Sequence, residues 1–304
     1  MLSNKICNYK FNNPILTASG TYGYGDEVKD LVDVSILGGI VTKSVTLNPR
    51  EGNPPPRIAE TSSGMLNSIG LANLGVDAYI EDKIPSLNKL NTNVIINVAG
   101  SSITDYLDTI KKIELIRSNH IGYEINISCP NVKEGGMEFG VNPKITKELT
   151  EQIKKITNRL VIMKLSPNVT SVQDIAIAAE QGGADMISAI NTVVGMGIDI
   201  YSRKTKLYTN FGGLSGPAIK PIAIANVNKI FKVVSIPIIG IGGISSASDV
   251  VEFILAGADL VQIGTLNYKN PNIGVEIISD LNNFCETQKI TNISDLKGKV
   301  KYYD

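Results

Sequence analysis

The sequence predicts an α/β protein, one (β/α)8 barrel with irregular insertions at the C-terminal face of its strands. Three observations carry that expectation. Eight short apolar runs, most of them β-branched and bounded by glycine or polar turns, recur along the chain, as buried parallel strands do. Helical patterns lie between most of them. The chain has 304 residues, 43% hydrophobic and only 19% charged, which suits one large core spanning residues 1–304. An internal echo points the same way: Ala179–Thr192 and Phe253–Thr265 share a helix, a G-A-D turn and a strand. A doubly wound sheet is the alternative, but eight parallel units at this length favour closure.

The runs come in order. Pro14–Gly20 is the first and Gly38–Ser44 the second. Residues 45–92 follow, rich in Pro, Gly and Asn and too long for a simple crossover. Irregular insertions after barrel strands usually wall an active site. Asn93–Gly100 is the third run, with helical periodicity over Ser102–Ser118 behind it. Tyr123–Ser128 is the fourth and leads into the glycine-rich stretch Asn126–Gly140. The helix expected over Asn142–Thr157 has Asn142 as its cap and Pro143 in its first turn. Leu160–Ser166 is the fifth run, and the helix Ser171–Gly183 after it stops on glycines. Asp185–Asn191 is the sixth, followed by a second irregular stretch, 193–217. Ile236–Gly243 and Asp259–Thr265 complete the set.

Composition excludes several function classes. Lys plus Arg and Asp plus Glu are 29 each, and no basic run exists, which argues against nucleic-acid binding. Cys7, Cys129 and Cys285 are too scattered for a zinc site or a disulfide framework. No apolar run reaches the about 18 residues of a membrane helix, and the N-terminus lacks a signal-peptide core. A cytoplasmic protein without a membrane segment is expected. His120, the one histidine, falls at the end of the fourth strand remote from the reactive face. That argues against an imidazole-held metal and against a serine–histidine triad.

In a barrel the reactive face lies at the C-terminal ends of the strands. Those ends read Ala18-Ser19-Gly20, Lys43-Ser44, Asn97, Asn126 with Cys129 beyond, Lys164, Asn191-Thr192, Gly242-Gly243 and Gly264-Thr265. The set is amide, small and cationic, without the carboxylate pair of a glycosidase. Lys43 and Lys164 each interrupt an apolar strand, and Ile162, Lys164 and Ser166 share a face. An ammonium inside a barrel mouth is costly unless an anion meets it, or unless it snorkels to water. Two on one rim suggest an anionic ligand. Glycines after the last two strands suit a phosphate held by backbone amides, beyond mere turn-making. Together these features point to a phosphorylated cofactor such as a flavin mononucleotide (FMN). Cys129 opens a glycine-rich loop suited to a lid, and with no histidine nearby it is the candidate proton acceptor. The bland reading is an inert thiol. Asn67, Asn126, Asn131 and Asn191 suit a planar polar ring, although a single Asn is more often a turn residue.

The strings NISCPNVKEGGMEFG, NSIGLAN, SAINT, GGLSGPAIKP and IGIGGI resemble the class 1 dihydroorotate dehydrogenases, in order over nearly the whole chain. The lid cysteine is similar to class 1, and NVKEGGMEFG with GGLSGPAIKP to its 1B subgroup. The resemblance implies FMN across the barrel mouth and (S)-dihydroorotate stacked on it, oxidised to orotate in de novo pyrimidine (UMP) biosynthesis. It implies that Cys129 removes the C5 proton while the C6 hydride passes to flavin N5. Lys43 would contact both the substrate carboxylate and the flavin. Lys164 would face the flavin N1–O2 edge and stabilise negative charge there. Asn67, Ser68, Ile69, Gly70, Leu71, Asn126, Asn131, Asn191 and Thr192 would hold substrate. Ser19, Gly20, Ser44, Asn97, Asn126, Ile190, Gly216, Gly242, Gly243, Gly264 and Thr265 would hold FMN.

The 1B likeness further implies NAD⁺ as final acceptor. The chain has no G-x-G-x-x-G after a strand in a separate domain, and its cysteines cannot hold an iron–sulfur cluster. A separate electron-transfer subunit carrying FAD and [2Fe-2S] is therefore expected on a homodimer, giving a heterotetramer. The alternatives are a class 1A homodimer using fumarate, a dihydropyrimidine dehydrogenase-like barrel and a non-catalytic phosphate-binding barrel. The second needs iron–sulfur cysteines in the same or an associated polypeptide. The cysteine, lysines and asparagines argue against the third.

Overall fold

The computed structural model describes residues 1–128 and 139–303. The chain begins with an antiparallel hairpin, β1 (Asn4–Ile6) and β2 (Tyr9–Phe11). Its two turn residues, Cys7 and Asn8, lie at φ +48° and +71°, the left-handed pair that a tight hairpin twist demands. Next come β3 (Ile15–Thr17) and β4 (Gly39–Val41). The first insertion carries β5 (Ile58–Thr61), β6 (Gly64–Asn67), α1 (Val76–Asp82) and α2 (Ile84–Leu87). Then strand and helix alternate: β7 (Asn93–Val98), α3 (Ile103–Glu114), β8 (Gly122–Asn126), α4 (Pro143–Lys154), β9 (Leu160–Leu165), α5 (Val172–Gln181) and β10 (Met186–Ala189). The second insertion holds β11 (Val193–Gly195) and β12 (Gly212–Ser215). α6 (Lys220–Phe231), β13 (Ile238–Ile241), α7 (Ala247–Ala256), β14 (Leu260–Ile263), α8 (Leu266–Lys269) and α9 (Ile273–Thr287) follow.

Eight strands close in the order β3-β4-β7-β8-β9-β10-β13-β14, and β14 returns to β3 in parallel. This is the (β/α)8, or TIM, barrel that the sequence predicts. Seven strands fall inside the predicted runs, and β8 starts one residue early, at Gly122. The helix signals also act as read. Asn142 Oδ1 accepts from the N–H groups of Lys144 (3.0 Å) and Ile145 (3.3 Å), and Pro143 opens α4. α5 stops at Gly182, with Gly183 at φ +89°. Two loops at strand ends share a reciprocal clasp. Ser102 caps α3 while Asp105 accepts from Ser101 N–H, and Ser246 caps α7 while Asp249 accepts from Ser245 N–H.

The insertions expected to be irregular are partly ordered. β5 and β6 join β11 and β12 in one antiparallel sheet of order β11-β12-β6-β5, with Gly213 opposite Asn67. Its strands are three or four residues long, too short for a period-two signal, and β6 and β12 are remote in sequence.

Two cores result from the strand alternation. Outward residues such as Ile96, Ile125, Met163 and Val261 pack against helix residues such as Tyr106, Ile110, Leu149 and Ile153. Inward residues Leu16, Val41, Ile95, Ile162, Met186, Ile239 and Leu260 cluster with Ile6 and Phe11 of the hairpin, which stops the N-terminal end of the barrel. Among the described residues, no helix is long and apolar enough to cross a membrane.

Candidate active site

Two residues beyond that apolar floor, the same strands change character. The period of two that points Ile95, Ile162, Met186 and Leu260 inward does the same for Asn97, Lys164, Ser188 and Gln262. Glu124 joins them from β8, where Tyr123 and Ile125 face the helices. All five are buried, Glu124 completely. Glu124 Oε1 accepts from Asn97 Nδ2 at 2.7 Å and from Lys164 Nζ at 3.1 Å, and its Oε2 accepts from Gln262 Nε2 at 2.6 Å. Ser44 Oγ donates to Asn97 Oδ1 at 2.5 Å. Because β8 and β14 are not neighbours in the sheet, the Glu124–Gln262 bond crosses the barrel interior.

The two lysines thereby differ. Lys164 is only 7% exposed, so it does not snorkel, and the anion that meets it is the chain's own Glu124. Its place in the mouth alone does not call for an external anion. Lys43 is different. It is half-buried, its N–H donates to Gly23 O at 2.7 Å, and its Nζ has no partner among the described residues. Glu124, Gln262 and Ser188 lie inside their runs rather than at the ends, and so fall outside the set the strand ends predict. The alternation in Tyr123-Glu124-Ile125-Asn126 was a usable signal, since Glu124 shares the face of Asn126.

One side of the mouth is lined with amides. Asn191 Nδ2 donates to Asn126 Oδ1 at 3.1 Å, and Thr192 N–H donates to Asn191 Oδ1 at 2.8 Å. The small sheet brings the first insertion beside them. Asn67 Nδ2 donates to Gly213 O at 3.3 Å, and a Cβ on Gly213 would overlap Thr192 Oγ1 at 2.1 Å. Beyond Asn67, Ser68 donates its N–H to Arg57 O at 2.8 Å, while its buried Oγ has no partner among the described residues. Gly70 and Leu71 turn the chain at φ +76° and +57°. A Cβ at Gly70 would meet Asn53 N at 2.6 Å, so only glycine fits there. Ile69, between Ser68 and Gly70, is half-buried.

The other side is lined with glycine. Gly242 and Gly243 follow β13, and Gly264 and Thr265 follow β14. A Cβ at Gly243 would lie 2.8 Å from Gly216 O, and Thr265 Oγ1 donates to Ser215 Oγ at 2.8 Å, so these loops abut. The N–H groups of Gly243, Gly264 and Thr265 donate to nothing among the described residues. A Cβ at Gly264 would meet only Ala18 Cβ, at 3.5 Å, and one at Gly20 would meet nothing within 4 Å. Open space bordered by free N–H groups is what a phosphate needs. Ser19, beside Gly20, is half-buried, and Ile190 is buried at the end of β10. Cys129 and Asn131 lie outside the described residues.

Away from the mouth, His120 is buried at the start of β8, its Nδ1 2.8 Å from Ser118 Oγ. Burial, and then the Arg159 guanidinium, lower its pKa to about 3, so it is neutral at ordinary pH. Burial pushes the thiols of Cys7 and Cys285 up, which makes both poor nucleophiles.

A family model described as Dihydroorotate dehydrogenase matches residues 1–285. A protein of Thermoanaerobacter sp. (strain X514) named Dihydroorotate dehydrogenase B (NAD(+)), catalytic subunit, is 47% identical over 300 residues, covering 99% of both chains. Proteins of the same name from Parabacteroides distasonis (48% identical, 98% of both chains) and Geotalea uraniireducens (44%, 98% of both chains) match at similar length. A closed barrel, a mouth divided between amides and glycines, and full-length likeness at this level place the chain in one family: it belongs to the dihydroorotate dehydrogenases.

Proposed function

We propose that the chain oxidises (S)-dihydroorotate to orotate in de novo pyrimidine (UMP) biosynthesis, on one non-covalently bound FMN, with NAD⁺ as final acceptor through a partner subunit. The observation that carries the flavin is the cradle of free N–H groups on Gly243, Gly264 and Thr265, set beside a polar layer containing Lys164. FMN, when bound, supplies a two-electron acceptor that no side chain offers. Gly20, Gly216, Gly242, Gly243, Gly264 and Thr265 would hold its phosphate end, and Ser19, Ser44, Asn97, Asn126, Ile190 and Lys164 its ring end. Asn67, Asn126, Asn131, Asn191 and Thr192 bind the planar substrate, with the Ser68–Leu71 turn closing over it. Lys43, whose ammonium has no partner among the described residues, takes the substrate carboxylate. Cys129 accepts the C5 proton.

The relatives are named catalytic subunits with NAD(+), which supports a second polypeptide as the electron exit. We assign FAD and [2Fe-2S] to that polypeptide, docked on a homodimer of this chain as a cytoplasmic heterotetramer. The purified chain should be yellow, release FMN on denaturation, and bleach with dihydroorotate. It should reduce NAD⁺ efficiently only after the partner is added. Colourless protein that takes up no FMN would sink the reading. Efficient NAD⁺ reduction by the chain alone would remove the partner, and efficient fumarate reduction alone would move the assignment to the fumarate-using class.

A further inference from the structure

We propose that Glu124 is a positioning residue that holds the Lys164 ammonium and sets the net charge a flavin meets at the barrel mouth. The inference rests on the flavin reading above. A carboxylate with no exposed surface is costly inside a barrel unless each oxygen is engaged. Both are: Oε1 by Asn97 and Lys164, Oε2 by Gln262. These partners come from β7, β9 and β14, so Glu124 is the hub of the polar layer. Lysine is a flexible point charge, and Glu124 is the one anion among the described residues that fixes this one. An ammonium has three donors, and only one is spent here, which leaves two for a ligand above.

The pair also sets a charge. Glu124 and Lys164 sum to zero, and Asn97, Ser44, Ser188 and Gln262 around them are neutral. A neutral pair stabilises the negative charge of a reduced flavin less than a lone ammonium would. Glu124 therefore keeps Lys164 in place while holding the flavin's potential down.

Glu124→Gln in the purified flavin-bound chain tests this. The change is isosteric, and Gln262 Oε1, which has no partner among the described residues, can turn to accept from the new amide. The reduced-to-oxidised flavin ratio at a fixed potential should rise at least tenfold, a midpoint about 30 mV more positive for a two-electron couple. An unchanged or more negative midpoint with flavin bound would overturn the proposal. Thermal melts read the pair whether or not flavin is retained. Glu124→Gln should lower the melting temperature by several degrees, because it leaves an ammonium buried alone, and adding Lys164→Met should restore most of the loss. Costs that merely add would show that Glu124 acts only through Asn97 and Gln262, and the proposal fails. A colourless wild type with coupled melts would remove the flavin reading and uphold the pairing.

Discussion

The floor and the mouth of the barrel are built by the same strands, two residues apart. Val41, Ile95, Ile162, Met186 and Leu260 make an apolar layer, and Lys43, Asn97, Lys164, Ser188 and Gln262 stand directly beyond them. The floor is held by packing, where any side chain of similar volume serves nearly as well. The mouth is held by directional bonds around one carboxylate, where each partner depends on the others. Changes in the floor should therefore move stability and spare chemistry, whereas changes at the mouth should move chemistry and should cost stability only where they break the bonds around Glu124.

The sharpest test of that contrast is the proposed base. Cys129→Ala should still bind orotate, but flavin reduction by dihydroorotate at neutral pH should fall by about 10²–10⁴-fold, the usual worth of a positioned base. In the parent chain the rate should rise with pH toward an unperturbed thiol pKa of about 8.5, since only the thiolate accepts a proton. Stopped-flow bleaching measures both; a wild-type rate in the variant would assign the proton to another group.

The next effect compares the two layers on neighbouring strands. Ile162→Ala should cost about 2–5 kcal/mol of stability, through lost transfer energy and a cavity, with the flavin spectrum unchanged. Ser188→Ala should stay within about 1 kcal/mol of the parent, because its buried Oγ has no hydrogen-bond partner to lose among the described residues. Denaturant titration separates them, and equal losses would contradict the contrast.

The smallest effect concerns pH and lies beneath the floor. His120 has a folded pKa of about 3, below its ordinary 6.5, so the unfolded chain binds the proton more readily. Its contribution to stability is complete above pH 6.5 and is lost as pH falls toward 3. Melts of His120→Phe across that window should show a flatter acid limb than the parent; parallel limbs would mean that the imidazole titrates freely.

Much of this molecule was legible in the chain. The eight strands, the Asn142 cap of α4 and the glycine stop of α5 depend on local periodicity and on one or two named residues, so sequence reaches them. The glycines after β13 and β14 were equally visible, because a backbone that must approach a ligand or a neighbouring loop leaves few alternatives to Gly. For Glu124 only the face was legible, from its alternation with Asn126; its partners on β7, β9 and β14 were not, because they come from strands remote in sequence. The sheet of β5, β6, β11 and β12 was hidden for the same reason: its pairing joins segments remote in sequence.

By itself, then, the order of apolar and polar residues determined a closed parallel barrel, which end of it carries the chemistry, and the residue types available there. Periodicity is a local property, and burial of one face per strand follows from it. Only the tertiary structure decided that Lys164 is answered from within while Lys43 meets no partner among the described residues, and that Asn67 reaches the side of Asn126 and Asn191. Those outcomes depend on distances across the barrel, set by closure of the sheet, and no pattern along one strand encodes them.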